Sequence, residues 1–174
     1  MDVFQAIQER REITTYADRS IPDKVLEKVV DAGYYAPTGN NLPSKSLIIV
    51  RNRPNLDSLA ATTPYMNWLK EAKAAIVVTG KPKISKYWLQ DASIACAFIW
   101  LEAVEAGLGA AFGAVYHSED KKESFVRENH VRKLLSIPEE HHIVAILGMG
   151  YPEGTLKPKK HLAREDIVHY ETFS

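Results

Sequence analysis

Residues 35–50 read Tyr35-Ala36-Pro37-Thr38-Gly39-Asn40-Asn41-Leu42-Pro43-Ser44-Lys45-Ser46-Leu47-Ile48-Ile49-Val50, and the run divides in two. Its first part, residues 36–44, places two Pro, one Gly, two Asn, a Thr and a Ser in nine positions. These types supply turns, positive φ and side-chain bonds to backbone. Its second part, Leu47 to Val50, is an unbroken aliphatic run that reads as a buried, central strand. A helix therefore ends near Tyr35, and a polar loop delivers the chain into the sheet. Loops fixed between rigid elements are where ligand contacts concentrate.

Working outward, Val3, Phe4 and Ile7 have the spacing of an amphipathic first helix that ends near Arg10-Arg11. Cations there suit a helix C-terminus, and they also suit an anionic ligand. Ser20-Ile21-Pro22-Asp23 reads as the start of a second helix, with Ser20 as cap and Asp23 bonding back. Its buried stripe is Val25, Leu26, Val29 and Val30. Residues 54–61 and 64–73 read as helical, and residues 74–80 as a buried strand. Residues 87–106 form the longest periodic segment, with apolar residues spread over much of its circumference, and predict a helix buried nearly all round. Gly107 and Gly109 read as a helix cap and the turn into a strand at residues 110–115. A charged helix over 119–135, a strand over 143–149 and an apolar tail helix complete the chain.

With 174 residues, 45% apolar and 25% charged, the chain reads as one soluble domain spanning 1–174. A formal net charge of zero argues against a general nucleic-acid binder. No apolar stretch reaches the roughly 18 residues needed to cross a bilayer, and the N-terminus opens with charges, so a cytoplasmic protein is expected. Cys96 is the only cysteine and reads as packing. The six His show no metal-site spacing and read as surface or strand-edge residues. The pattern Gly148-x-Gly150-x-x-x-Gly154 has the wrong spacing for a dinucleotide loop, and neither a Walker loop nor a nucleophile elbow is present.

The loop resembles the Ala-Pro-Ser-Gly-x-Asn-x-Gln-Pro-Trp segment of the nitroreductase family: Ala36, Pro37, Gly39 and Asn41 match, with Thr38 for Ser. Pro43, Ser44 and Lys45 stand where the family has Gln, Pro and Trp. Arg10 and Arg11 match the first two positions of Arg-Arg-Ser-x-Arg, whereas Glu12 and Thr14 depart. Gly107-Leu108-Gly109, Gly150-Tyr151-Pro152 and Lys157-Pro158-Lys159 resemble further family segments, with Lys159 for Arg.

The resemblance implies an α+β sandwich, a mostly antiparallel sheet of four or five strands with helices on both faces, in an intertwined homodimer. It implies FMN as cofactor, NADH or NADPH as electron donor, and nitroaromatics, quinones or similar flat molecules as acceptors, reduced in two half-reactions. On its terms Arg10 and Arg11 contact the ribityl and phosphate region, and Lys157 and Lys159 hold the phosphate. Pro37, Thr38, Gly39 and Asn41 of the other subunit meet the ring, with Asn67 and Gly113 against it. No catalytic side chain, metal, membrane or nucleic acid is implied, since the cofactor carries the chemistry. Two alternatives remain, a flavin-binding protein without fast turnover and a dimer without cofactor.

Overall fold

The segment Ala74-Ala75-Ile76-Val77-Val78-Thr79-Gly80 has one polar side chain, and that composition suits a strand covered on both faces. The computed structural model, which describes residues 1–156 and 158–173, places it as β2 (Ala74–Gly80), buried at every position. Beside it runs β4 (His142–Gly150), buried from Ile143 onward. The sheet is completed by β1 (Lys45–Val50) and β3 (Gly109–Ala114) in the order β1-β2-β4-β3, with every pairing antiparallel. The segment after Arg10-Arg11 runs along the outer side of β3, where Ile13 donates its N–H to the Ala110 carbonyl.

Because side chains alternate along a strand, β2 and β4 feed two cores at once. Ile76, Val78, Leu147 and Met149 face one layer, made by α2 (Asp23–Tyr35) and α4 (Trp88–Glu105). Val77, Ile143 and Ile146 face the other, covered by α3 (Arg53–Leu59) and α5 (Lys121–Leu135). A seven-residue helix, α1 (Val3–Glu9), rests on α4 through Ala6. The expected α+β sandwich with an antiparallel sheet is the observed one.

Several expectations need correction. β1 is an edge strand, not a central one: Val50 is its one buried residue and Ile49 is exposed. Ser20 does not cap α2. Pro22 occupies the cap position without a side-chain bond, and Asp23 instead pairs with Arg51, which also donates to the Ile21 carbonyl. Residues 64–73 hold a single 3-10 turn, Asn67–Lys70, and the tail another, Arg164–Asp166. Such tightened turns suit segments too short to repeat the α-helical bond.

The largest departure concerns apolar faces. Val3, Phe4 and Ile7 of α1 point outward, Phe4 being 67% exposed. α4 is buried along Ala92, Cys96, Ile99 and Ala103, yet Ile94 and Phe98 on its opposite side are 39% and 41% exposed. The helix is thus apolar all round, as the sequence indicated, but covered on one side. At its end Gly107 adopts φ +75°, the left-handed cap conformation that glycine takes without strain.

Close approach of α2 to α4 depends on Gly33. A Cβ there would lie 2.7 Å from Ile99 Cδ1 and 2.9 Å from Leu47 Cδ1. Replacing a helical Gly by Ala gains about 1 kcal/mol of helix propensity, whereas overpacking costs about 1–3 kcal/mol. Gly33→Ala is therefore expected to destabilise by roughly 1 kcal/mol net in urea unfolding, and to recover part of that loss in an Ile99→Val background. A Gly33→Ala protein more stable than wild type would show that the two helices separate freely.

Candidate functional site

The loop following α2 is held by its own polar side chains. Asn40 and Asn41 take φ of 54° and 53°, the left-handed region that Asn tolerates better than most residues. Thr38 Oγ1 donates to the Leu42 carbonyl at 2.7 Å, and Lys45 Nζ reaches back to the carbonyl of Ala36. Gly39 lets the Tyr87 ring approach: a Cβ there would lie 2.8 Å from the ring and oblige it to shift. The loop opens onto a cleft of about 710 Å³ lined by Tyr34, Tyr35, Pro37, Thr38, Asn41 and Lys45. Burial pushes the Lys45 ammonium below the usual lysine range, against the upward pull of the Asp91 carboxylate.

Asp91, in the first turn of α4, was not singled out by the sequence reading. It is 3% exposed, and its two oxygens accept from Gly39 N–H at 2.8 Å and from Ser44 Oγ at 2.6 Å. A lone acid at the start of an otherwise apolar helix was the available signal.

A second cluster forms beyond α1. Arg10 caps that helix and lies 4.5 Å from the centroid of Trp100, which stacks on Phe112 of β3 at 6.2 Å. Arg11 Nη1 donates to the Glu9 carbonyl at 2.8 Å. Lys159 Nζ lies 3.1 Å and 3.3 Å from the carbonyls of Ile7 and Gln8. The three cations meet where the helix presents its unsatisfied carbonyls, the end that attracts positive charge. Burial first, and then repulsion from Arg10 and Arg11, lower the affinity of Lys159 for its proton. The indole Nε1 of Trp100 in this corner is buried and has no partner among the described residues. Lys157, the other expected phosphate ligand, lies outside the described residues.

Gly113 lies in the edge strand β3 and packs against Met66, the residue before Asn67. Asn67 is exposed at the start of its 3-10 turn, next to Met66, and Met66 Sδ would lie 2.8 Å from a Cβ on Gly113. The candidate residues therefore form two groups in one chain. Pro37, Thr38, Gly39 and Asn41 precede the edge strand β1; Arg10, Arg11 and Lys159 gather at the end of α1 beside β3, while Gly113 of β3 and Asn67 lie on the α3 and α5 side of the sheet. Three inter-strand spacings separate β1 from β3, about 14 Å, and Asp91 and Trp100, which mark the two groups on α4, are about 13 Å apart along its axis. Neither group alone surrounds a ligand.

Three of the histidines, His130, His141 and His142, make contacts that join elements of the fold, His142 at the start of β4. His142 Nδ1 lies 2.9 Å from Glu128, whose 5%-exposed carboxylate also accepts from Ile143 N–H at 2.9 Å and Ser124 Oγ at 3.0 Å. The imidazole stacks on Trp88 with Tyr116 edge-on, and His141 Nδ1 meets Thr79 Oγ1 at 2.8 Å. Glu128 thereby fastens α5 to the start of β4. Among the described residues no group of His, Cys, Asp and Glu is placed to hold a metal ion, and no helix is long and apolar enough to cross a membrane.

A sandwich of this topology, with a polar loop at one sheet edge and a cation cluster at the other, defines a class that comparison with known proteins makes explicit. The nitroreductase family model matches residues 7–63 and 53–151. A protein of Methanothermobacter thermautotrophicus named "Putative NADH dehydrogenase/NAD(P)H nitroreductase" is 37% identical over 155 residues, 87% of this chain and 78% of its own. A crystal structure bearing the same description, from Bacteroides thetaiotaomicron, is 32% identical, covers 97% of this chain and 96% of its own, and superposes with a TM-score of 0.88. An FMN-dependent nitroreductase of Clostridium difficile is 27% identical over 98% of this chain and 99% of its own, with a TM-score of 0.85. The chain belongs to the nitroreductase family.

Cys96 takes no part in either group. It faces the α4 core, and burial pushes its thiol up to about 12. A thiol reagent at pH 8 is accordingly expected to leave the folded protein unmodified for as long as it stays folded. Labelling faster than global unfolding would place Cys96 at a surface.

Proposed function

We propose that the protein is an FMN-dependent NAD(P)H oxidoreductase, active as a homodimer, that reduces nitroaromatics, quinones or similar flat acceptors in two half-reactions at one site. The observation that carries this reading is the convergence of Arg10, Arg11 and Lys159 at one helix end, where Lys159 is already pressed by its two cationic neighbours. An anion among them relieves that repulsion, and a phosphate offers enough oxygens for all three. These residues fit the phosphate end of FMN. The names of the relatives favour the same cofactor and donor.

The separation of the two groups supports a dimer. A pairing of α4 helices through the Ile94 and Phe98 face about a two-fold axis perpendicular to them would run them antiparallel, so that the Asp91 end of one helix would lie towards the Trp100 end of the other. It also buries apolar surface that one chain leaves in water.

Bound there, FMN supplies hydride acceptance from the nicotinamide and electron delivery to the second substrate. The chain's part is to hold and orient. Arg10, Arg11 and Lys159, together with Lys157, fix the phosphate. Pro37, Thr38, Gly39 and Asn41 of the second copy, with Asn67 and Gly113 of the first, border the ring, and the apolar walls of the cleft limit water.

Flavin titrations test the anchor. Arg10→Ala combined with Lys159→Ala is expected to weaken FMN binding by roughly 2–4 kcal/mol and to leave riboflavin, which lacks the phosphate, nearly unchanged. Equal losses for both flavins would assign these cations to the fold. FMN affinity should also decline as pH rises through the lowered pKa of Lys159, because the protonated form is the one that binds phosphate. In sedimentation the protein is expected as a dimer burying more than about 2,000 Å², and bound flavin should bleach on addition of NADH or NADPH. A stable monomer that keeps its flavin would overturn the shared site; a yellow dimer that does not bleach would leave a flavin binder without turnover.

A further inference from the structure

Pro43, Ser44 and Lys45 stand where the family pattern carries other residues, and two of them make bonds that tie the loop: Ser44 to the buried Asp91 and Lys45 to the Ala36 carbonyl. Ser44 is fully buried and gives its hydroxyl proton to Asp91, which at the same time accepts the Gly39 N–H from the other limb of the loop. Lys45 closes the loop from the opposite direction, donating to the carbonyl of Ala36, where the loop begins. Residues 36–45 are therefore tied at their start, middle and end, and the carboxylate holds two of the three attachments.

A buried carboxylate is expensive unless its oxygens are bonded, and here both serve the loop. The hydrophobic layer around α4 gains nothing from an acid at this position. The left-handed backbone of Asn40 and Asn41 is also unfavourable in isolation and persists only where the surroundings enforce it.

We propose that Asp91 is a positioning residue for the cofactor: with Ser44 and Lys45 it clamps residues 36–45 in the conformation that presents Pro37 to Asn41 to the flavin ring. The proposal rests on the FMN reading above. It also implies an electrostatic role. Asp91 and Lys45 are opposite charges on the same loop support, so neutralising one leaves the other unbalanced beside the ring. Positive charge there favours the reduced, more negative flavin; negative charge disfavours it.

The test uses the full-length wild type, Asp91→Asn, Ser44→Ala, the double variant and Lys45→Met. Amide hydrogen exchange is first measured without added flavin. Asp91→Asn is expected to speed exchange across residues 36–45 by tenfold or more while β2 and α4 stay as protected as in wild type; Ser44→Ala should act in the same direction, and the double variant should exceed Asp91→Asn by little. FMN and riboflavin affinities should then fall together by roughly tenfold or more in Asp91→Asn, the scale of one lost hydrogen bond to a charged group. The midpoint potential of the bound flavin should rise in Asp91→Asn and fall in Lys45→Met. Unchanged exchange in both Asp91→Asn and Ser44→Ala overturns the clamp. A loosened loop with unchanged flavin affinity and potential shows that Asp91 serves the fold alone, and a loss confined to FMN places its effect at the phosphate. Failure of the wild type to bind either flavin overturns the FMN reading and this role with it, and the exchange data would still report separately whether the loop is clamped.

Discussion

The pairing of β2 with β4 is the constraint on which the remainder of the molecule depends. Both strands are covered on both faces, and their backbone groups are satisfied by each other and by their outer neighbours. Little space is left in the middle of the sheet for polar chemistry, because a ligand there would have to displace core. The candidate functional residues lie instead at the margins, beyond the outer strands β1 and β3. The polar loop enters at one margin and the segment 10–13 runs along the other. Opposite charges take up these two places: a cation cluster against the carbonyl end of α1, and a carboxylate in the first turn of α4. Each suits the helix end that it occupies.

Elements whose burial depends on their own periodicity were legible in the sequence. The β2 and β4 runs, the α4 segment and the glycine stop at Gly107 were each placed within a few residues. The misreadings share one physical origin. Leu47 to Val50 is as apolar as a central strand, and Val3, Phe4 and Ile7 carry a regular stripe, but composition records only that a surface avoids water and not which neighbour covers it. In one chain these surfaces have no cover, so β1 became an edge and α1 turned its stripe outward. The cap at Ser20 failed for a local reason: Arg51, distant in sequence, competes for Asp23.

The candidate site was legible wherever its residues fall in one short motif. Arg10-Arg11, residues 37–41 and Lys159 were each singled out by such a motif, through the family resemblance it carries. Asp91 was not. Its partners are Gly39 and Ser44, roughly fifty positions away, and within α4 it looks like one more polar residue on a helix. Glu128 was hidden in the same way, since its role depends on the start of β4. Long-range polar contacts of this kind leave little trace in spacing, because either partner alone has an unremarkable explanation.

The register of the central pair has a consequence for how the chain is made. β2 meets β4 from Ala74 with Met149 to Gly80 with His142, so β2 leaves the ribosome some 60 to 75 residues before its partner exists. At about 5–20 residues per second that is a wait of roughly 3–15 s. β1 is available at once and can shield one side of β2. The other side, an apolar edge with open backbone groups, is what the nascent chain must protect during the interval. The most buried strand of the finished protein is thus the one most open to wrong pairing during synthesis, and holding chaperones would act during that wait.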